Sequence, residues 1–272
     1  MDLLQALILG IVQGATEYIP VSSSAHLVLV PWLLGWPRAT FEYEVLVQLG
    51  TLVGVFVFFW SDIVAIVQAV LVGLVQRRPL GTFEAKLGWL VVVSTIPAVV
   101  LGLLFKDYFE AAFAAPVLVG GLLILTALLL IVAERFGSRL RQLDKLGWLD
   151  AVIIGFWQAA AILPGISRSG ATISGAVLKG FDRTSAARFS FLMSIPVMLG
   201  AGGVAALDLV KGGTLAAQLP SITIGFIAAA ISGYLCIKWL LGYLQRHSLY
   251  VFAAYCAGLS ILTILIALLR NG

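Results

Sequence analysis

The stretch Pro164-Gly-Ile-Ser-Arg-Ser-Gly-Ala-Thr172 constrains this chain more than any other, because it sits in the wrong solvent. The apolar run Ala151 to Leu163 precedes it, and Ile173 to Leu178 follows. An arginine flanked by three hydroxyls inside hydrocarbon is expensive, so it needs a partner and a purpose. Arg168 lies too far from any long polar segment to snorkel cheaply. Pro164 and Gly165 break a helix, and Ser167 and Ser169 can cap the start of another. A helix broken deep in a membrane points free N–H groups inward, which suits an anion.

The rest of the chain supports that solvent. Of 272 residues, 61% are hydrophobic and only 11% charged, and the mean hydropathy is +1.07. This is a polytopic membrane protein rather than a soluble domain. The net charge of +4 reads as basic cytoplasmic loops. No lysine- or arginine-rich block supports nucleic-acid binding. Cys236 and Cys256 both fall in apolar runs, which argues against a disulfide framework or a thiolate metal site. Asp2, without a basic region beside it, predicts an uncleaved first segment.

Hydropathy and breakers divide the chain. Leu3 to Ile19 ends at Pro20, and Leu27 to Leu34 contains Pro31. Neither is a comfortable span of about 20 apolar residues. Together, residues 3–36 predict a re-entrant hairpin with the polar tip Glu17, Ser22, Ser23, Ser24 and His26. Spans follow at about 45–62, 87–105 and 116–133, the first prolonged by the amphipathic stretch Ile63 to Val75. Pro97 predicts a kink in the second. A short, near-neutral loop is expected at Lys106 to Glu110, and the most charged loop at Glu134 to Asp150. The order then repeats: a second interrupted hairpin over 151–181, then spans at about 188–207, 221–241 and 249–269.

The letters repeat too. Ala6-Leu-Ile-Leu-Gly10-x-x-Gln13 matches Ala151-Val-Ile-Ile-Gly155-x-x-Gln158, and proline and serines follow each. The expected fold is therefore an all-α polytopic membrane protein of two repeats, 1–135 and 149–272. Each comprises one re-entrant helical hairpin and three transmembrane helices. Three full spans per repeat is odd, so the second repeat must be inserted upside down relative to the first. Such inverted repeats place a site where two broken helices meet near mid-membrane. In this count the basic loops around Arg77, Arg139, Arg183 and Arg246 fall on one side, which the positive-inside rule makes cytoplasmic. The loops at Lys106 and Lys211 fall on the other. The first hairpin then opens from outside and the second from inside, with both chain ends outside.

If the tips meet, Glu17, Ser23, His26, Ser167, Arg168, Ser169 and Thr172 share one site. Gln13 and Glu17 share a helix face at i, i+4. Guanidinium, hydroxyls and helix N-termini suit a phosphate-like anion. A transported anion would need no more than that. Glu17 and His26 are the additional parts: a carboxylate that can hold a metal or move a proton, and an imidazole fit for acid–base work. They tilt the reading from carrier to hydrolase. A carrier or flippase for an anionic lipid or small anion is the alternative.

Gln13-Gly-Ala-Thr-Glu17-Tyr-Ile-Pro-Val-Ser-Ser-Ser-Ala-His26 and Pro164 to Thr172 resemble the two signature motifs of the undecaprenyl-diphosphatase family, the bacitracin-resistance type. Phe41-Glu-Tyr-Glu44-Val-Leu-Val-Gln48-Leu-Gly50 is a third match. The resemblance implies a bacterial inner-membrane enzyme that removes the terminal phosphate of undecaprenyl diphosphate. The product is the monophosphate carrier used in peptidoglycan synthesis. Its partners are then an isoprenoid diphosphate lipid and membrane lipids, not nucleic acid, with a homodimer left open and the site open to the periplasmic side. Two departures stand out. Gln13 takes a place where the family often has glutamate, and Ser23-Ser24-Ala25-His26 replaces the common Ser-Thr-Gly-His. Carried over, the catalytic set is Glu17, Ser23, His26 and Arg168. Gln13, Ser22, Ser24, Ser167, Ser169 and Thr172 contact substrate. A divalent cation, Mg2+ or Ca2+, is expected at Glu17, with Glu44 a weaker ligand. Ser23 is either nucleophile or phosphoryl ligand. His26 either activates the nucleophile or protonates the leaving oxygen. Covalent phosphoserine and direct attack by water both remain open.

Overall fold

The computed structural model describes residues 1–105, 115–212 and 215–271, and among these the regular structure is helical throughout. The helices are α1 Leu3–Glu17, α2 Ser23–Leu34, α3 Phe41–Phe58, α4 Trp60–Val75, α5 Phe83–Leu104 and α6 Pro116–Phe136. After a 3-10 turn at Leu143–Lys145 come α7 Trp148–Ala160, α8 Arg168–Leu178, α9 Arg183–Lys211, α10 Leu215–Leu244 and α11 Tyr250–Asn271. Six of these, α3, α5, α6, α9, α10 and α11, are long and apolar enough to cross a membrane. The apolar helices α1, α2, α4 and α7 are shorter. The expected loop Lys106 to Glu110 lies outside the described residues.

Local chemistry sets the helix starts. The side chains of Asp2, Thr40, Thr82 and Asp182 cap α1, α3, α5 and α9 by accepting from a first-turn N–H. Each such cap contributes about 1 kcal/mol. Pro97 and Pro196 lie inside α5 and α9 without ending them.

One expectation is corrected. The first span and the stretch that prolongs it are two helices, parted at Phe59. The Phe59 ring is fully buried and meets Phe58 edge-on at 4.9 Å. Arg188 lies over the same ring and pairs with Asp62 at 3.1 Å. Turning Phe59 into the core redirects the chain, and α4 packs along α5, with Gly88 against Val70 and Ile66.

Close backbone approach builds the centre. A Cβ added at Gly10 of α1 would collide with the Gly225 backbone of α10. One at Gly155 of α7 would collide with the Ser94 carbonyl of α5. Small residues let membrane helices come this near. Along α10, Gly10 meets Gly225 and Gly14 meets Gly233. Along α3, Gly50 meets Phe226 and Gly54 meets Tyr234. Helices α1, α3 and α10 therefore run parallel, side by side.

At one end the Glu134 carboxylate gathers three connections. It pairs with Arg139 at 2.7 Å and with Arg183, and accepts from the Leu249 N–H at 3.0 Å. Nearby, Asp150 pairs with Arg141 at 2.6 Å, and Arg141 lies 4.1 Å from the Phe181 ring centroid. The basic loops around Arg139, Arg183 and Arg246 thus share one end of the molecule, as the loop charges predict.

Candidate active site

The first hairpin turns between Glu17 and Ser23. Pro20 cannot continue a helix, and Ser22 takes a left-handed conformation at φ 69° that reverses the chain. The Ser22 hydroxyl accepts from the Ala25 N–H at 3.4 Å, capping α2, and lies 3.2 Å from the Ser24 hydroxyl. Gln13 Nε2 donates to Glu17 Oε2 at 2.8 Å, and the Ser23 hydroxyl donates to the same oxygen at 2.5 Å. The i, i+4 spacing read from the sequence is thus a direct contact.

The second hairpin turns between Ala160 and Arg168. Gly165 sits at φ 99°, where an added Cβ would also collide with the Val119 carbonyl. Ser167 caps α8, accepting from the Gly170 N–H at 3.0 Å. Thr126 of α6 pins the turn twice: it accepts from the Ser167 N–H at 2.9 Å and donates to the Gly165 carbonyl at 3.0 Å.

The tips meet. Arg168 Nη2 donates to Glu17 Oε1 at 2.6 Å, linking positions far apart in sequence. The side chains are 16% and 7% exposed, so this is a buried ion pair. Losing either partner would leave an uncompensated buried charge, at a cost of about 3–5 kcal/mol. The Ser169 hydroxyl donates to the Ile19 carbonyl at 3.2 Å, a second tie between the tips. Arg168 also donates to the Ser190 carbonyl at 3.3 Å, and its guanidinium carbon lies 5.6 Å from the Tyr18 ring centroid. One carboxylate thus joins a guanidinium, a serine hydroxyl and an amide where two helices begin.

The other candidates are placed differently. Ser167 and Ser169 lie 3.2 Å apart, but cap and tie the turn. The Thr172 hydroxyl is fully buried, 2.8 Å from the Arg168 carbonyl and 2.6 Å from the Ser190 hydroxyl. His26 contacts neither Glu17 nor Arg168. Its Nδ1 lies 2.7 Å from the Ser22 carbonyl oxygen, and its Nε2 lies 2.7 Å from the Tyr255 hydroxyl. Glu44 is not brought to the tips. The hydroxyl of its neighbour Tyr43 donates to the Ala6 carbonyl, eleven residues before Glu17 in the same helix. A rise of 1.5 Å per residue puts that level about 16 Å from Glu17 along α1. Glu44 owed its candidacy to a motif match, and helix geometry separates it from the site.

Sequence reasoning missed Thr126, Ser190 and Tyr255. Thr126 and Tyr255 are each an isolated polar group in an apolar stretch, a weak signal of function, and Ser190 is one of several polar residues in the first turns of α9.

The capacity for a divalent cation can be judged from the donors. Among the described residues no three His, Cys, Asp or Glu side chains gather to hold a metal. Gln13 Oε1, however, is buried without a hydrogen-bond partner, on the residue whose Nε2 touches Glu17. A carboxylate and a free amide oxygen are hard donors. Cations of the Mg2+ and Ca2+ class bind such oxygens, and Mg2+ commonly completes its shell with substrate phosphates. The residues fit.

Comparison with known proteins places this architecture in a class. The family model described as bacitracin resistance protein BacA matches residues 6–262, and the chain belongs to that family. A protein of Chlorobaculum tepidum named undecaprenyl-diphosphatase is 45% identical over 264 residues, covering 94% of this chain and 93% of its own. One of Desulforudis audaxviator with the same name is 43% identical and covers 100% of both chains. Another, of Chloroherpeton thalassium, is 42% identical over 266 residues.

Proposed function

We propose that this protein hydrolyses undecaprenyl diphosphate to undecaprenyl phosphate and inorganic phosphate, with Glu17, Ser23 and Arg168 as its chemical centre. The observation that carries the reading is the shared carboxylate: Glu17 holds the arginine of one tip and the serine hydroxyl of the other. A nucleophile within hydrogen-bond reach of a base is the arrangement covalent catalysis requires. The names of the 41–45% identical relatives favour the hydrolase over a carrier.

The steps follow from the contacts. A diphosphate draws Arg168 from Glu17 into bidentate contact with phosphoryl oxygens. With Arg168 turned to the phosphate, Glu17 takes the Ser23 proton through Oε2, the oxygen that already accepts from that hydroxyl. The Ser23 oxygen attacks the terminal phosphorus, the phosphoanhydride bond breaks, and the lipid monophosphate leaves. Water then frees phosphate from the serine. Arg168 and the N–H groups at the starts of α2 and α8 stabilise the charge on the transferring phosphoryl group. Ser22 and Ser24 line the entry to α2, and Ser167, Ser169 and Thr172 hold the second tip in shape. A divalent cation bound by Glu17 and Gln13 would neutralise phosphate charge.

The fold reading belongs to the same proposal: two inverted repeats, 1–135 and 149–272, each opening on a re-entrant hairpin. Its support is an exchange of contacts. The first helix of each half packs on the other half, α1 on α10 through Gly10 and α7 on α5 through Gly155. Each tip is also held by the last helix of the opposite half, Thr126 on Gly165 and Cys256 on Pro20. With the Glu134 end cytoplasmic, the site faces the periplasmic side of a bacterial inner membrane.

Phosphate release from undecaprenyl diphosphate by the purified protein in detergent tests the function. Turnover by the native chain is expected, with loss in Ser23→Ala and after chelation. Full turnover by Ser23→Ala would remove serine from the chemistry.

A further inference from the structure

We propose that Tyr255, on the last helix, is a positioning residue that pairs the Nε2 of His26 and holds its ring plane. The consequence for turnover rests on the phosphatase reading; the geometry does not.

The Ser22 carbonyl oxygen, 2.7 Å from His26 Nδ1, can only accept, so Nδ1 carries the ring proton. Nε2 then presents its lone pair, and the Tyr255 hydroxyl at 2.7 Å donates to it. The two rings lie almost parallel, 6° apart in plane with centroids separated by 5.6 Å. His26 is therefore held at both nitrogens, with Tyr255 lying edge to edge beside it in nearly the same plane. The next residue along α11 supports the clamp: Cys256 Sγ lies 3.7 Å from the Pro20 carbonyl, which docks this part of α11 on the first tip.

Tyr255 is half-exposed, so its ring body covers surface that a phenylalanine would cover equally well. Only the hydroxyl gives the position chemical meaning. A tyrosine hydroxyl can both donate and accept. When His26 takes a proton at Nε2, that hydroxyl turns to accept from the new N–H, while Nδ1–H stays on the Ser22 carbonyl. Both protonation states keep every ring nitrogen paired, without moving the ring. A histidine that exchanges a proton in buried surroundings keeps its hydrogen bonds through such a partner.

The chain has two histidines, and His247 is exposed at the α10–α11 turn. In a His247→Gln background, His26 is the sole imidazole, and nitrogen-15 NMR of the full chain in detergent reads its tautomer. The Nδ1–H form is expected in both proteins, held by the Ser22 carbonyl, while the Nε2 resonance shifts in Tyr255→Phe as that nitrogen loses its hydrogen bond. Phosphate release should fall about ten- to a hundredfold in kcat, the range known for partners that orient a metal-bound histidine, while KM changes little. Tyr255→Leu, which removes the ring as well, should fall at least as far. An unchanged Nε2 resonance and kcat in Tyr255→Phe would overturn the proposal. His26→Ala with full turnover would contradict the catalytic reading of His26, while the Nε2 signal would still decide the clamp.

Discussion

In the first hairpin the amide of Gln13 donates to Glu17 one turn later. In the second, Gln158 takes the corresponding place, Ile162 stands one turn later, and neither polar atom of the buried Gln158 amide has a partner. Both hairpins turn through a left-handed residue, Ser22 in one and Gly165 in the other. Both start their second helix on a serine cap. The scaffold is shared, and the charges are divided. The first tip carries the carboxylate and its serine. The second carries the guanidinium and has no carboxylate at the corresponding place. Two identical tips would set like charges against each other; these two are complementary.

The largest effect should come from breaking that complementarity. Arg168→Ala should abolish phosphate release and lower stability by about 3–5 kcal/mol, because Glu17 is left buried and unpaired. Arg168→Lys keeps the charge but loses the planar fork, and should lose most of the rate with a smaller loss of stability. Kinetics and thermal unfolding in the same detergent would check both. Near-native turnover by the lysine variant would show that charge alone suffices.

A smaller effect is expected from the backbone of the second tip. Gly165→Ala imposes a strained φ and a collision with the Val119 carbonyl, costing at least about 1–3 kcal/mol. Thr126→Val keeps the shape but strands the Ser167 N–H, at about 1–3 kcal/mol. Both should lower turnover by displacing Arg168; a kcat that does not move would place Arg168 independently of the turn.

The smallest effect has the opposite sign. Gln158→Leu replaces a buried amide with no partners by an apolar side chain of similar size. It should leave activity unchanged and raise stability by about 1 kcal/mol or more. Gln13→Leu should instead reduce turnover, since Gln13 holds Glu17. Equal responses from the two glutamines would erase the distinction between the tips.

Much of this was legible in the chain. Hydropathy and length mark the spans, and Pro20, Pro164 and Gly165 mark the turns, because breakers act locally. Gln13 and Glu17 were legible as a pair because helix periodicity fixes what lies one turn away. The break at Phe59 was not, since no proline or glycine stands there and the cause is a ring buried against distant Phe191. Glu44 lies in the third match to the family, and its neighbour Tyr43 meets α1 about three turns before Glu17. Tyr255 and Thr126 were hidden for a related reason: their partners lie on other helices, and nothing local separates a polar residue that packs from one that holds a site together.

The central claim is that Glu17 and Arg168 act as one unit across the two tips. A double-mutant cycle of Glu17→Gln, Arg168→Lys and both, read by single-turnover phosphate release, tests it most directly. The account predicts strong non-additivity, with the double variant no slower than about threefold below the worse single one. A double variant whose loss equals the product of the two single losses would contradict it.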